Sequence, residues 1–87
     1  MSDSYKHMLE VASRFNKSVK RLNEGVKRQL KKMIEELLNG QHSGKSLKGP
    51  YREFKVVRIG KYRLIYSDKE PCKIVLHDIK HQEITYI

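Results

Sequence analysis

The chain has 87 residues, which suits one domain (residues 1–87) and excludes a large enclosed substrate chamber. A domain this small hides roughly 60–65% of the surface its unfolded chain exposes. Nineteen Lys and Arg against ten Asp and Glu give a net charge of +9, the electrostatic footprint of a nucleic-acid binder or of a partner for an acidic protein.

Residues 1–4 read as a polar tail. In "YKHMLEV" (5–11), period 2 places Tyr5, His7, Leu9 and Val11 on one side, a strand pattern. Ser13 is placed to cap a helix beginning near Arg14, in which Phe15, Val19 and Leu22 form an apolar stripe. Asn23 offers a second cap, with Glu24 in the first turn where the helix dipole favours negative charge. Val26, Leu30, Met33, Ile34, Leu37 and Leu38 then recur at helical spacing, and Asn39-Gly40 is a stop signal. Basic residues crowd the start of this helix, against its dipole, which hints that they serve a partner.

"QHSGKSLKGP" (41–50) is a polar loop in which residues 45–48 suit a short edge strand, limited by Pro50. From Tyr51 onward the pattern is β-like. "YREFKVVRI", "YRLIYS" and "CKIVLHDI" read as strands, joined by turns at Gly60-Lys61 and at residues 68–71. "EITYI" suits a short terminal strand or tail. The expectation is an α+β fold: an N-terminal strand, a helical hairpin, then an antiparallel sheet of three to four strands with both helices on one face. The other face is left open, and the basic residues of the strands belong to it.

The single cysteine, Cys72, excludes an internal disulfide and fits a reducing compartment. One Cys and scattered His do not make a Cys-rich zinc site. No stretch approaches the ~20 apolar residues of a membrane span, and "MSDSYKHMLEV" does not read as a signal peptide. A cytoplasmic protein with no membrane partner is expected.

"VASRFNKSVKRLNEGVKRQLKKMIEELL" and "SLKGPYREFKVVRIGKYRLIY" carry a resemblance. Leu47 and Gly49 lead to a strand that ends on Arg58, Gly60, Tyr62 and Arg63, followed by Leu64, Ile65 and Tyr66. "IKHQEITY" adds Ile79, His81, Thr85 and Tyr86. In this order the residues resemble the RelE/ParE superfamily, toxins of type II toxin–antitoxin systems, over about residues 7–86. Gln82 stands where that family commonly has Arg after the His, while Lys80 keeps a basic residue before it.

The resemblance implies ribosome-dependent cleavage of mRNA in the A site, restrained by a cognate antitoxin in a toxin–antitoxin hetero-oligomer. The expected reaction is attack of a ribose 2′-hydroxyl on its own 3′ phosphate. It needs a base, positive charge at the phosphorane and an acid for the departing 5′ oxygen; neither a metal nor another cofactor is expected. Arg63 is the best phosphate clamp, since guanidinium is planar, permanently charged and able to engage two oxygens. Arg58 serves the same pocket or holds the turn. Lys80 and His81 are the acid–base candidates, and Tyr86 either stacks on a base or touches the phosphate, or else anchors the tail. His77, inside an apolar run, reads as a satisfied structural histidine, and Tyr66 as packing.

Lys45, Lys48, Arg52 and Lys55 are candidate RNA contacts around the strands. Lys17, Lys20, Arg21, Lys27, Arg28, Lys31 and Lys32 on the helices are candidate contacts to ribosomal RNA phosphates, giving position and affinity rather than sequence preference. Two alternatives stay open: a poison of DNA gyrase, as in the ParE branch, and a binding module of the same fold that has lost catalysis.

Overall fold

The computed structural model describes residues 8–40, 44–69 and 73–81. Strand β1 (Met8–Val11) leads into helix α1 (Ser13–Val19) and helix α2 (Glu24–Leu38). Strand β2 (Lys45–Ser46) and a 3₁₀ turn (Gly49–Tyr51) precede strands β3 (Phe54–Ile59), β4 (Tyr62–Ser67) and β5 (Lys73–His81). The five strands form one sheet in the order β1-β5-β4-β3-β2.

The helices form where the pattern placed them. Asn23 caps α2, its side-chain oxygen accepting from the Val26 amide at 2.9 Å. Asn39 closes the helix, and Gly40 leaves it at φ 73°, a left-handed conformation that costs glycine little. The cap of α1 differs from expectation. The helix starts at Ser13 with Ala12 in the cap position, and no side chain caps it.

The apolar stripes of both helices meet one face of the sheet. Phe15 and Leu22, with Leu30 and Leu37 of α2, are buried against Val57, Ile59, Leu64, Tyr66, Ile74, Leu76 and Ile79. Leu64, Tyr66 and Leu76 are almost wholly enclosed. Burial of one such side chain contributes about 1.5–3 kcal/mol. Tyr66, read as packing, lies in this core, and its hydroxyl accepts from the Gly44 amide at 2.7 Å.

The α+β class and the helices on one face hold, while the sheet differs in detail. It has five strands and is mixed, because β1 pairs with β5 in parallel, Met8 against Lys73 through Val11 against Leu76. Parallel neighbours need a crossover, here supplied by most of the chain. The expected strand from Tyr51 begins at Phe54, since Gly49-Pro50-Tyr51 turns as 3₁₀. The edge strand at residues 45–48 shrinks to Lys45–Ser46. The last strand runs on to His81. Gly60 holds the β3–β4 turn at φ 59°. Tyr5, His7, Cys72 and the terminal "EITYI" lie outside the described residues.

Leu64 is fully buried at the centre of the sheet, so Leu64→Ala is expected to cost about 2–5 kcal/mol. Asn23→Ala is expected to cost about 1 kcal/mol by removing the α2 cap. Urea denaturation of the two variants beside wild type measures both, and an equal loss would contradict this division between core and cap.

Candidate functional site

The core covers one face of the sheet, and strand alternation sends the intervening residues to the other. On β3, Val57 and Ile59 point into the core while Phe54, Val56 and Arg58 face away. On β4, Leu64 and Tyr66 point inward while Arg63, Ile65 and Ser67 face away. The register sets Arg58 directly opposite Arg63, and Arg63 directly opposite Lys80. Three cations therefore stand in a row across three strands on the open face. Directly opposed side chains have Cβ atoms about 4.5–5.5 Å apart, where like charges destabilise a sheet. Among the described residues no carboxylate forms an ion pair with Arg63.

Lys80 reaches this face through a bulge. Ile65 pairs with Asp78 and Tyr66 with Leu76, leaving His77 as the extra residue of β5. Asp78 is buried, with 5% of its surface exposed. Its Oδ1 accepts from the Ser18 hydroxyl at 2.6 Å and from the Ile79 amide at 2.8 Å. Its Oδ2 lies 3.9 Å from Lys80 Nζ, an ion pair longer than a hydrogen bond. The His77 ring meets Phe54 edge to face at 4.8 Å, and its Nε2 lies 2.9 Å from Ser67 Oγ. His77 is thus a partnered histidine, and burial pushes its pKa below the ordinary 6.5 against a weaker opposing pull from Glu10.

Beside the row lies a cleft of about 350 Å³. Phe54 and Ile65 form its apolar floor, with Leu47 and Tyr51 at the β2 side. Ala12 and Arg14 close the β5 side, and His77, Asp78 and Lys80 supply the polar wall. The sequence pattern gave Phe54, Asp78 and Arg14 no part in a site, and Ile65 none beyond its place in the motif. One signal was present: in "IVLHDIK" an acid and a histidine interrupt an apolar run, which a bulge accommodates.

The other candidates are spread around the molecule. His81 lies opposite Tyr62 at the core side of the sheet, its ring edge to face at 5.2 Å, so alternation separates it from Lys80. Lys55 points to the side of Val57 and is held by Asp68 at 2.9 Å, a bond that raises its pKa. Lys45, Lys48 and Arg52 are exposed on β2 and around the 3₁₀ turn. Lys17, Lys20, Arg21, Arg28, Lys31 and Lys32 are exposed on the helices and the turn between them. Half-buried Lys27 stands 3.9 Å from Glu24. Lys27 and Lys31 border a shallow groove between α1 and α2. Tyr86 lies outside the described residues. Among the described residues, no group of His, Cys, Asp and Glu is arranged to hold a metal ion, and no helix is long and apolar enough to cross a membrane.

Residues 9–86 match the model of the ParE toxin of type II toxin–antitoxin systems, the parDE pair. No curated protein matches in sequence. Among solved structures, the RelB–RelE antitoxin–toxin complex of Methanococcus jannaschii superposes with a TM-score of 0.72 at 23% identity, covering 85% of this chain and 91% of that one. The isolated E. coli RelE toxin gives 0.69 at 24% identity, with 91% and 87% covered. The E. coli DinJ–YafQ toxin–antitoxin complex gives 0.75 at 15% identity, with 90% and 94% covered. At these identities the likeness is one of fold.

The lowered pKa of His77 makes stability depend on pH. As pH falls through 6.5, the unfolded chain takes up a proton on this imidazole that the folded chain resists. Stability is expected to fall from that point down to the folded pKa. His77→Gln is expected to flatten this part of a denaturation profile measured between about pH 5 and pH 7.5. An identical slope in wild type and variant would contradict the assignment.

Proposed function

Because the chain belongs to the ParE toxin family of type II toxin–antitoxin systems, we propose that it cleaves mRNA on the ribosome, and that a cognate antitoxin holds it inactive. The chain is a toxin of the RelE/ParE fold. The observation that carries the proposed activity is the row Arg58–Arg63–Lys80 on the open face.

In the proposed step the 2′-hydroxyl gives its proton to a solvent water and its oxygen forms a bond to its own 3′ phosphorus, while the bond from phosphorus to the 5′ oxygen breaks. The products are a 2′,3′-cyclic phosphate and a 5′-hydroxyl. Negative charge grows on the phosphoryl oxygens as the phosphorane forms. Arg63, central in the row, clamps two of those oxygens, and Arg58 adds a second guanidinium. Lys80 presents an ammonium on the same face and is placed to give its proton to the departing 5′ oxygen. His81 faces the other way, so it serves this step less directly than Lys80. Tyr86 remains a further candidate for touching the phosphate or for stacking. The exposed lysines and arginines of the helices supply sequence-independent attraction to ribosomal RNA. The complexes of RelE with RelB and of YafQ with DinJ support an antitoxin partner for this chain.

A second reading, a poison of DNA gyrase, is favoured by one feature. On β3 the open face beside Arg58 carries Phe54 and Val56, which offer no proton-transfer group. In that reading the row would bind its target without cutting it.

Purified protein acting on mRNA in programmed ribosomes, read by primer extension, tests both. Wild type is expected to cut only with ribosomes. Arg63→Ala is expected to lose about 10²–10³-fold in rate, and Arg63→Lys to fall between the two because it keeps charge but not the two-oxygen grip. No cuts by folded wild type across several codons, together with inhibited supercoiling by gyrase, would overturn the first reading in favour of the second.

A further inference from the structure

The cleft beside the cationic row has a composition that the phosphate chemistry does not use. Its floor is Phe54 and Ile65, and Tyr51, 43% exposed, stands at its rim. Its wall holds one buried carboxylate whose two oxygens are treated unequally. Among the described residues, Asp78 Oδ1 accepts both hydrogen bonds given to this side chain, from Ser18 and from Ile79. Oδ2 accepts none among the described residues, and its ion-pair contact to Lys80 is 3.9 Å long. A buried acceptor left without a donor is costly. The cleft therefore suits a ligand with a flat apolar body and a donor at one edge.

Charge narrows the choice. Arg14 and Lys80 line the same cleft as Asp78, so the carboxylate is already outweighed and a cationic ligand is disfavoured. A neutral donor fits better. Position narrows it further. Lys80 belongs both to the cleft and to the row, and Ile65 follows Arg63 by two residues on the same face of β4. A group held in the cleft is thus tied by a short link to a phosphate held by Arg63. A nucleobase on its ribose phosphate has this form, with a π-face for an aromatic wall.

We propose that the cleft bounded by Phe54, Tyr51, Ile65 and Asp78 is a nucleobase subsite that selects bases bearing an exocyclic amino group, which donates to Asp78 Oδ2. The proposal rests on the reading that Arg58, Arg63 and Lys80 hold an RNA phosphate. It makes Asp78 a specificity residue rather than a catalytic one. Cytosine carries an amino group where uracil carries a carbonyl oxygen, so uracil sets an acceptor against an acceptor.

The test is an NMR titration of the labelled full chain with cytidine 5′-monophosphate, uridine 5′-monophosphate and inorganic phosphate. Cytidine monophosphate is expected to shift the amides of Phe54, Ile65 and Asp78 together with those of Arg58, Arg63 and Lys80. Inorganic phosphate is expected to shift the row alone. Uridine monophosphate is expected to bind about tenfold more weakly, and Asp78→Asn to remove that difference. If the variant does not fold, the wild-type comparison decides alone. Equal binding of the two nucleotides would overturn the selectivity. Nucleotide shifts confined to the row would overturn the subsite and leave the cleft to an apolar side chain of a protein partner. Shifts confined to the cleft would sustain the subsite and overturn the phosphate reading instead.

Discussion

Strand β5 changes phase at His77, and the open face takes its form from that change. Ile74 and Leu76 point into the core at a spacing of two, but the next core residue is Ile79, three further on. The extra residue turns Ile79 inward and Lys80 outward. Were the same residues paired in a regular ladder, Ile79 would meet solvent and the Lys80 ammonium would press into the apolar core, where an unpaired charge is strongly disfavoured. Asp78 makes the bulge tenable. Its carboxylate accepts the Ile79 amide that the disturbed ladder leaves over, and it ties β5 to α1 through Ser18.

The cationic row then stands on a stiff base. Leu64 lies between Arg63 and Ile65 in sequence and is fully buried beneath them, packed with Tyr66, Leu76 and the helix stripes. Side chains on strands over a packed core hold their positions more closely than side chains on loops. The sheet pays for the row in repulsion, since opposed like charges destabilise it. Under the proposed function a bound phosphate would reverse the sign of that contribution, and stability and activity would pull in opposite directions at Arg58, Arg63 and Lys80.

Much of this was legible in the sequence where information is local. Asn23, the stripe from Val26 to Leu38 and Asn39-Gly40 specify α2 without reference to the rest of the chain. Gly60 marks the β3–β4 turn, and the short loop fixes the register that opposes Arg58 to Arg63. The parallel pairing of β1 with β5 was not legible, because nothing in "MLEV" names a partner strand more than sixty residues away. Nor was the side of His81: period 2 separates it from Lys80, but only the bulge decides which of the two faces the core. Phe54 and Asp78 escaped notice for a related reason. An aromatic and an acid in apolar runs read as packing until tertiary neighbours show a cleft between them.

The strand order has a bearing on how the protein comes into being. The last of the described strands, β5, is inserted between the first, β1, and the hairpin partner β4. Until it docks, β1 has no neighbour, the helix stripes lack Ile74, Leu76 and Ile79, and Lys80 is absent from the row. Such long-range closure is slow compared with local folding. A nascent chain emerging from a ribosome therefore has its helices and the β3–β4 hairpin in hand while its cationic row is still incomplete. Under the proposed function the molecule would become able to grip a phosphate late, at the step that also closes its core, so that maturation and arming would be a single event.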